Sequence, residues 1–167
     1  MKLNLLIGTI ACLFITLSNI NAQEYNISDI QENFTKIAVR YRDSISTANN
    51  DLQVRLLFKK RAKEFNELNF DGQVSNWIGT VTRISAVNDD IYLDIEIAPK
   101  IIFSFSANIE NPLAEKLAEL NKGQKVLFSG NLIPKPEEAG FYEKSITTRG
   151  SIEEPEFKFN LTSIKSL

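Results

Sequence analysis

The sequence predicts an α+β protein, a small β-barrel of order β-β-β-α-β-β preceded by an N-terminal helical hairpin. Three observations carry this. Apolar residues recur at helical spacing from Ser28 to about Leu68 and at a spacing of two from Val74 onward. A short helical stretch, Pro112 to Asn121, separates the third strand from the fourth, and turn-forming residues stand at the changes of period.

The first 22 residues are set aside as a signal peptide. Lys2 supplies the positive start, Leu5 to Leu17 is almost wholly apolar, and Ala22 offers a small residue before a cut. That apolar run is 13 residues, short of the ~20 a helix needs to span a bilayer. A lipid-acceptor role for Cys12 fits poorly, because cutting there would leave Leu13–Leu17 exposed. The mature chain would begin near Gln23, enter the periplasm or be secreted, and have the size of one domain with one core.

Residues 23–70 form the hairpin and 71–167 the barrel, packed together as one domain. Ser28 with Gln31 three residues on is a capping-box pattern, and Ile30, Phe34, Ile37, Ala38, Tyr41 and Ile45 follow at helical spacing. Asn50 caps a second helix with the stripe Val54, Leu57, Phe58, Arg61, Phe65 and Leu68. Asn69-Phe70-Asp71-Gly72 ends it with turn chemistry. Beyond Val74, Ile91, Leu93, Ile95 and Ile97 alternate with Tyr92, Asp94 and Glu96, a half-buried strand. Ile101, Phe103 and Phe105 continue the alternation after Pro99-Lys100. Pro112 suits a first helical turn, Leu113, Leu117 and Leu120 form the apolar side, and Lys122-Gly123 closes the helix. Val126, Phe128 and Leu132 face inward from the next strand, with Gly130 at a bend or bulge. Pro134 to Gly140 reads as loop, and Glu143–Thr148 and Phe157–Ile164 as further strands.

Three strands, a helix and two strands is the chain order of the OB-fold, a partly open Greek-key barrel. Trp77-Ile78-Gly79-Thr80-Val81 and Lys122-Gly123-Gln124-Lys125-Val126-Leu127-Phe128-Ser129-Gly130 resemble small exported bacterial OB-type proteins. The pattern is similar to the tRNA-anticodon-like and periplasmic stress-associated OB groups. Ser145, Thr147 and Glu154-Pro155-Glu156-Phe157 look like a segment of one secreted, functionally unassigned subgroup. The resemblance covers Val74–Ile164 and implies a fold; it brings no catalytic residue with it.

Composition narrows the chemistry. The chain has no histidine, and its single cysteine, Cys12, would leave with the signal peptide. A Ser-His-Asp triad, a thiol nucleophile and a His/Cys zinc site are therefore excluded from the mature protein. Residues 23–70 hold eight Lys/Arg against seven Asp/Glu, whereas residues 71–167 hold ten against fourteen. A surface that follows a phosphate backbone should be basic, so an acidic barrel argues against nucleic acid.

Candidate ligand-binding residues are Trp77, Tyr92, Asp94 and Phe103, beside the Pro134–Gly140 loop. Aromatics over the second and third strands are the stacking hardware of OB-fold recognition, although core packing is the plainer reading of Trp77. Asp89, Asp90, Asp94 and Glu96 are oxygen ligands in kind but lack cation-loop spacing, so no metal site or cofactor is expected. Arg55, Lys59, Lys60, Arg61 and Lys63 read as the solvated face of a helix in preference to a nucleic-acid or anionic-lipid patch. The expected function is a non-enzymatic, exported binding or interaction module for a protein or glycan. The alternatives are an oligonucleotide-binding OB domain and a carboxylate-dependent hydrolase with two acids facing across a cleft.

Overall fold

The computed structural model describes residues 27–135 and 140–167. The signal peptide expected over residues 1–22 lies outside them. The protein is α+β, with a closed five-stranded barrel and helices packed on it.

Two 17-residue helices come first, α1 (Asp29–Ile45) and α2 (Asp51–Glu67). Ser28 and Asn50 cap them, their side-chain oxygens accepting from the Gln31 and Gln53 amides. The buried positions of α1 are Gln31, Phe34, Ala38, Tyr41 and Ile45, one apolar stripe interrupted by a single amide. Left-handed backbone at Asn69, Asp71 and Gly72 turns the chain into the first strand. A Cβ on Gly72 would stand 2.9 Å from the Phe141 ring, so both conformation and space call for glycine there.

The barrel strands are β1 (Gln73–Val87), β2 (Asp90–Ala98), β3 (Ile101–Asn108), β4 (Lys125–Leu132) and a last long strand, β7 (Glu156–Ser166). The short helix α3 (Ala114–Ala118) joins β3 to β4. Between β4 and β7 lie the two-residue strands β5 (Pro134–Lys135) and β6 (Gly140–Phe141) and the helix α4 (Thr148–Glu153). The order around the barrel is β1-β2-β3-β7-β4 and back to β1, antiparallel throughout except for the parallel β3–β7 pair. Closure is possible because β1 is long: its first half pairs with β4 and its second with β2, with register shifts after Val74 and Val81. At Gly130 a Cβ would come within 2.2 Å of the Asn160 carbonyl, so β4 and β7 approach this closely only over glycine.

Two segments differ from their expected form. Pro134–Gly140 is read from sequence as loop, but its ends enter the paired two-residue strands β5 and β6. Glu143–Thr148 is read from sequence as a strand, but only Glu143 bridges, to Phe157, and helix α4 begins at Thr148. The Thr147 hydroxyl accepts from the Gly150 amide at 3.0 Å and starts that helix, and no apolar alternation in the segment opposes it.

One hydrophobic cluster runs through helices and barrel together. Phe34 of α1 is fully buried, stacked on Phe65 of α2 at 4.3 Å and set at 5.2–5.8 Å from Phe70, Trp77, Phe103 and Phe157. It plugs the end of the barrel where β3 and β7 begin. Leu117 of α3 and Leu120, two residues beyond its end, fill the core. Gln31, 2% exposed, pairs with Ile78: its Nε2 donates to the Ile78 carbonyl at 2.6 Å, and the Ile78 amide donates to its Oε1 at 3.0 Å. The glutamine amide thus serves the backbone of β1 where no β2 residue pairs with Ile78.

Truncating the plug should be costly. Phe34→Ala is expected to lower unfolding stability by about 3–5 kcal/mol, whereas Leu52→Ala on the exposed side of α2 should cost less than about 0.5 kcal/mol. Urea unfolding followed by emission of Trp77, the single and buried tryptophan, measures both. Equal midpoints for the two variants would show that Phe34 does not hold helices and barrel together.

Candidate functional site

Strand alternation divides the four sequence-predicted residues between two faces. Trp77 and Phe103 point inward and are 1% and 0% exposed. Trp77 packs on Phe34, Phe70 and Phe103, and Phe103 also touches Phe128, Phe157 and Phe159. Neither presents a ring to solvent, which corrects the expectation that they could stack on a ligand. Their indoles and rings are consumed by the plugged end of the barrel.

Tyr92 and Asp94 point outward. Tyr92 is half-buried, with the Arg83 guanidinium 5.1 Å from its ring centroid. Asp94 is buried in a row of polar residues that the register lines up across β1, β2 and β3: Arg83 opposite Asp94, and Asp94 opposite Ser104. The Ser104 hydroxyl lies 2.6 Å from Asp94 Oδ1 and 2.7 Å from Glu156 Oε1. Lys144 Nζ, from the β6–α4 connection, stands 2.5 Å from Glu156 Oε1 and 3.4 Å from Asp94 Oδ1. Arg83 Nη1 approaches Asp94 Oδ2 at 3.8 Å.

Chemically this network is closed on itself. Each carboxylate has a cation, and the space between the two is filled by a hydroxyl and an ammonium. A substrate lying between Asp94 and Glu156 would have to displace both. Ser104 has no neighbouring imidazole to take its proton. Among the described residues no group of three or more His, Cys, Asp or Glu could hold a metal ion. Asp89 and Asp90 stay at the β1–β2 turn while Glu96 accepts from the Lys100 amide. At the rim, exposed Glu154 is held below the usual carboxylate range by a hydrogen bond and charge from Lys100, 2.8 Å away.

A fully buried cation lies elsewhere. Arg61, placed by sequence in both the apolar stripe and the basic cluster of α2, is 2% exposed. Its guanidinium donates to the Ser151 carbonyl at 2.7 Å and to Glu143 Oε1 at 2.5 Å. It lies 5.1 to 5.8 Å from the Phe58, Phe65 and Phe157 rings. Burial pulls its pKa down, and the Glu143 charge and hydrogen bond push back. This pair ties α2 to the β6–β7 connection and is structural.

What sequence reading missed is a concave feature built by distant segments. A groove of 470 Å³ opens between the β1–β2 hairpin and α3, lined by Ile84, Ala86, Ile91, Ile109, Ala118 and Leu120. Ile109 and nearby Val87 are 51% and 52% exposed, unusually open for large apolar side chains. Residues 84–91 and 109–120, which carry the lining, hold Asp89, Asp90, Glu110, Glu115 and Glu119 against one cation, Lys116. Of the predicted Pro134–Gly140 loop, the described residues Pro134, Lys135 and Gly140 do not line this groove, and residues 136–139 lie outside the described ones.

Together these features define a closed-barrel α+β protein with an internally neutralised polar face and an open apolar groove. No protein-family model and no curated protein matches the chain.

The Arg61–Glu143 pair yields a testable outcome. Arg61→Met or Glu143→Leu alone should destabilise by about 3–5 kcal/mol, because each leaves a buried charge without its partner. The double variant should lose less than either single one. A double-mutant cycle on urea unfolding checks this, and additive losses would mean that the two groups act independently.

Proposed function

We propose that this chain is an exported, non-enzymatic binding module on an OB-like barrel, and that its ligand is a protein. The groove between β1–β2 and α3 carries the reading, since it is concave, apolar and open. Its acidic surroundings favour an apolar segment flanked by lysine or arginine. The OB-like assignment is supported by the barrel order, the helix between β3 and β4, and the parallel pairing of β3 with the last strand. Export rests on the leader-like character of residues 1–22.

Two considerations favour a protein over the other ligands of such barrels. Oligonucleotides and glycans are commonly held on exposed aromatic rings, and here Trp77 and Phe103 are inside. The barrel's acidic balance, ten Lys/Arg against fourteen Asp/Glu over residues 71–167, also repels phosphates. A non-enzymatic role agrees with carboxylates already occupied by Lys144, Arg83 and Ser104.

The mature chain can be tested against short synthetic peptides with a leucine core and lysine, serine or glutamate flanks, and against oligothymidylate. The lysine-flanked peptide should bind best, more weakly as salt rises. Ala118→Arg, which fills the groove with a cation, should lower that affinity at least about tenfold, near 1.4 kcal/mol. Tight, salt-sensitive binding of oligothymidylate with no retention of any peptide would overturn the proposal.

A further inference from the structure

The outer face of α2 is distinct from the groove and carries its own surface chemistry. Positions 52, 55, 56, 59, 60 and 63 follow the three-and-four spacing that places them on one side of a helix. They are Leu52, Arg55, Leu56, Lys59, Lys60 and Lys63, all exposed. Leu52 and Leu56 are 67% and 48% exposed, so two leucines lie among four cations with nothing covering them.

Folding sharpens this face relative to the sequence, where basic and acidic residues are mixed. Arg61 turns into the core. Glu64 turns toward α1, where its carboxylate receives hydrogen bonds from Arg40 and from the Tyr41 hydroxyl. Two acids border the face: Glu67, 3.7 Å from Lys63, and Asp51 in the first turn. Among the described residues Arg55, Lys59 and Lys60 make no ion pair.

We propose that this face seats the protein on an anionic lipid surface. Charge complementarity selects the partner's sign, and the leucines select its kind. A convex helix offers neither a channel for a nucleic-acid strand nor an aromatic ring for its bases. A bilayer interface accepts both components at once: leucines enter the headgroup boundary while lysine and arginine stems lie along it with their charges at the phosphates. The rest of the molecule is compatible with that orientation. Phe34, stacked on Phe65 of α2, lies against Trp77 near the start of β1, whereas the acid-rimmed groove is lined by Ile84 and Ala86 toward its end. The groove and its acids thus sit toward the opposite end of β1 from the part that Phe34 covers.

Sedimentation of the mature chain with vesicles tests this directly. The protein should pellet with phosphatidylcholine vesicles containing phosphatidylglycerol, not with phosphatidylcholine alone, and should be released by salt. Each cation removed should weaken partition by about fivefold, so Lys59→Glu/Lys60→Glu/Lys63→Glu should abolish pelleting. Leu52→Ser/Leu56→Ser should weaken it with the charge intact. Unchanged circular dichroism and Trp77 emission establish that these exposed substitutions leave the fold intact. Ala118→Arg should pellet like the wild type, which separates this inference from the groove reading. No pelleting at low salt, equal pelleting with both vesicle types, or a triple variant that pellets normally would overturn the proposal. So would preferential binding of oligothymidylate or an oligoglutamate peptide through the same residues.

Discussion

The structure depends on Phe34. Its ring leaves α1, enters the end of the barrel, and meets aromatic side chains from α2, β1, β3 and β7 within 5.8 Å. Edge-to-face and stacked pairs of this kind contribute about 0.5–1.5 kcal/mol each beyond the area they bury. The five barrel strands share that cluster with the helices, so the N-terminal segment is the lid of the core and not an appendage. In a small protein without a disulfide, such sharing raises the buried apolar fraction enough to hold a unique fold. It also dictates what the outer surface can do. A barrel that recruits Trp77 and Phe103 to pack its plug cannot also offer them to a ligand.

Polar groups fix the position of that lid. An apolar plug tolerates rotation and sliding, but Gln31 and Arg61 do not. Gln31 must meet both backbone groups of Ile78, and Arg61 must meet the Ser151 carbonyl and Glu143. The penalty for leaving a buried amide or guanidinium unpartnered restricts α1 and α2 to one register on the barrel. Asp94, Ser104, Glu156 and Lys144 play the same part for the parallel β3–β7 contact, which lacks the turn that fixes the register of an antiparallel hairpin.

Much of this was legible because periodicity is a local property. The stripe from Phe34 to Ile45 and the alternation from Ile91 to Ile97 can be read without knowing what they pack against. The same alternation places Phe103 with Ile101 and Phe105 on the inward face, a signal that runs against the ligand role expected of Phe103. Arg61 was ambiguous because a cation at a core position looks the same in sequence whether it snorkels or pairs with Glu143, 82 residues later. Helix α4 was hidden because its signal is one Thr147 cap, weaker than the β-branched residues around it. The groove had no local signal at all. Ile84, Ile91, Ile109 and Leu120 each resemble core residues; Ile91 and Leu120 are in fact buried, and only the meeting of the β1–β2 hairpin with α3 shapes a groove over them and leaves Ile109 exposed.

Charge segregation is the remaining link from fold to function. The chain is almost neutral, with formal charge −2, yet the fold does not distribute that balance evenly. It turns Arg61 inward, draws Glu64 toward α1, and leaves Arg55, Lys59, Lys60 and Lys63 facing out. Toward the far end of β1 the acids of residues 84–91 and 109–120 outnumber Lys116 five to one. Both regions also expose apolar side chains, Leu52 and Leu56 at one and Val87 and Ile109 at the other, where solubility alone would favour polar ones. Their pairing with opposite charge is economical if each region meets a different partner, and it has no role in stabilising the barrel, whose core these residues do not enter.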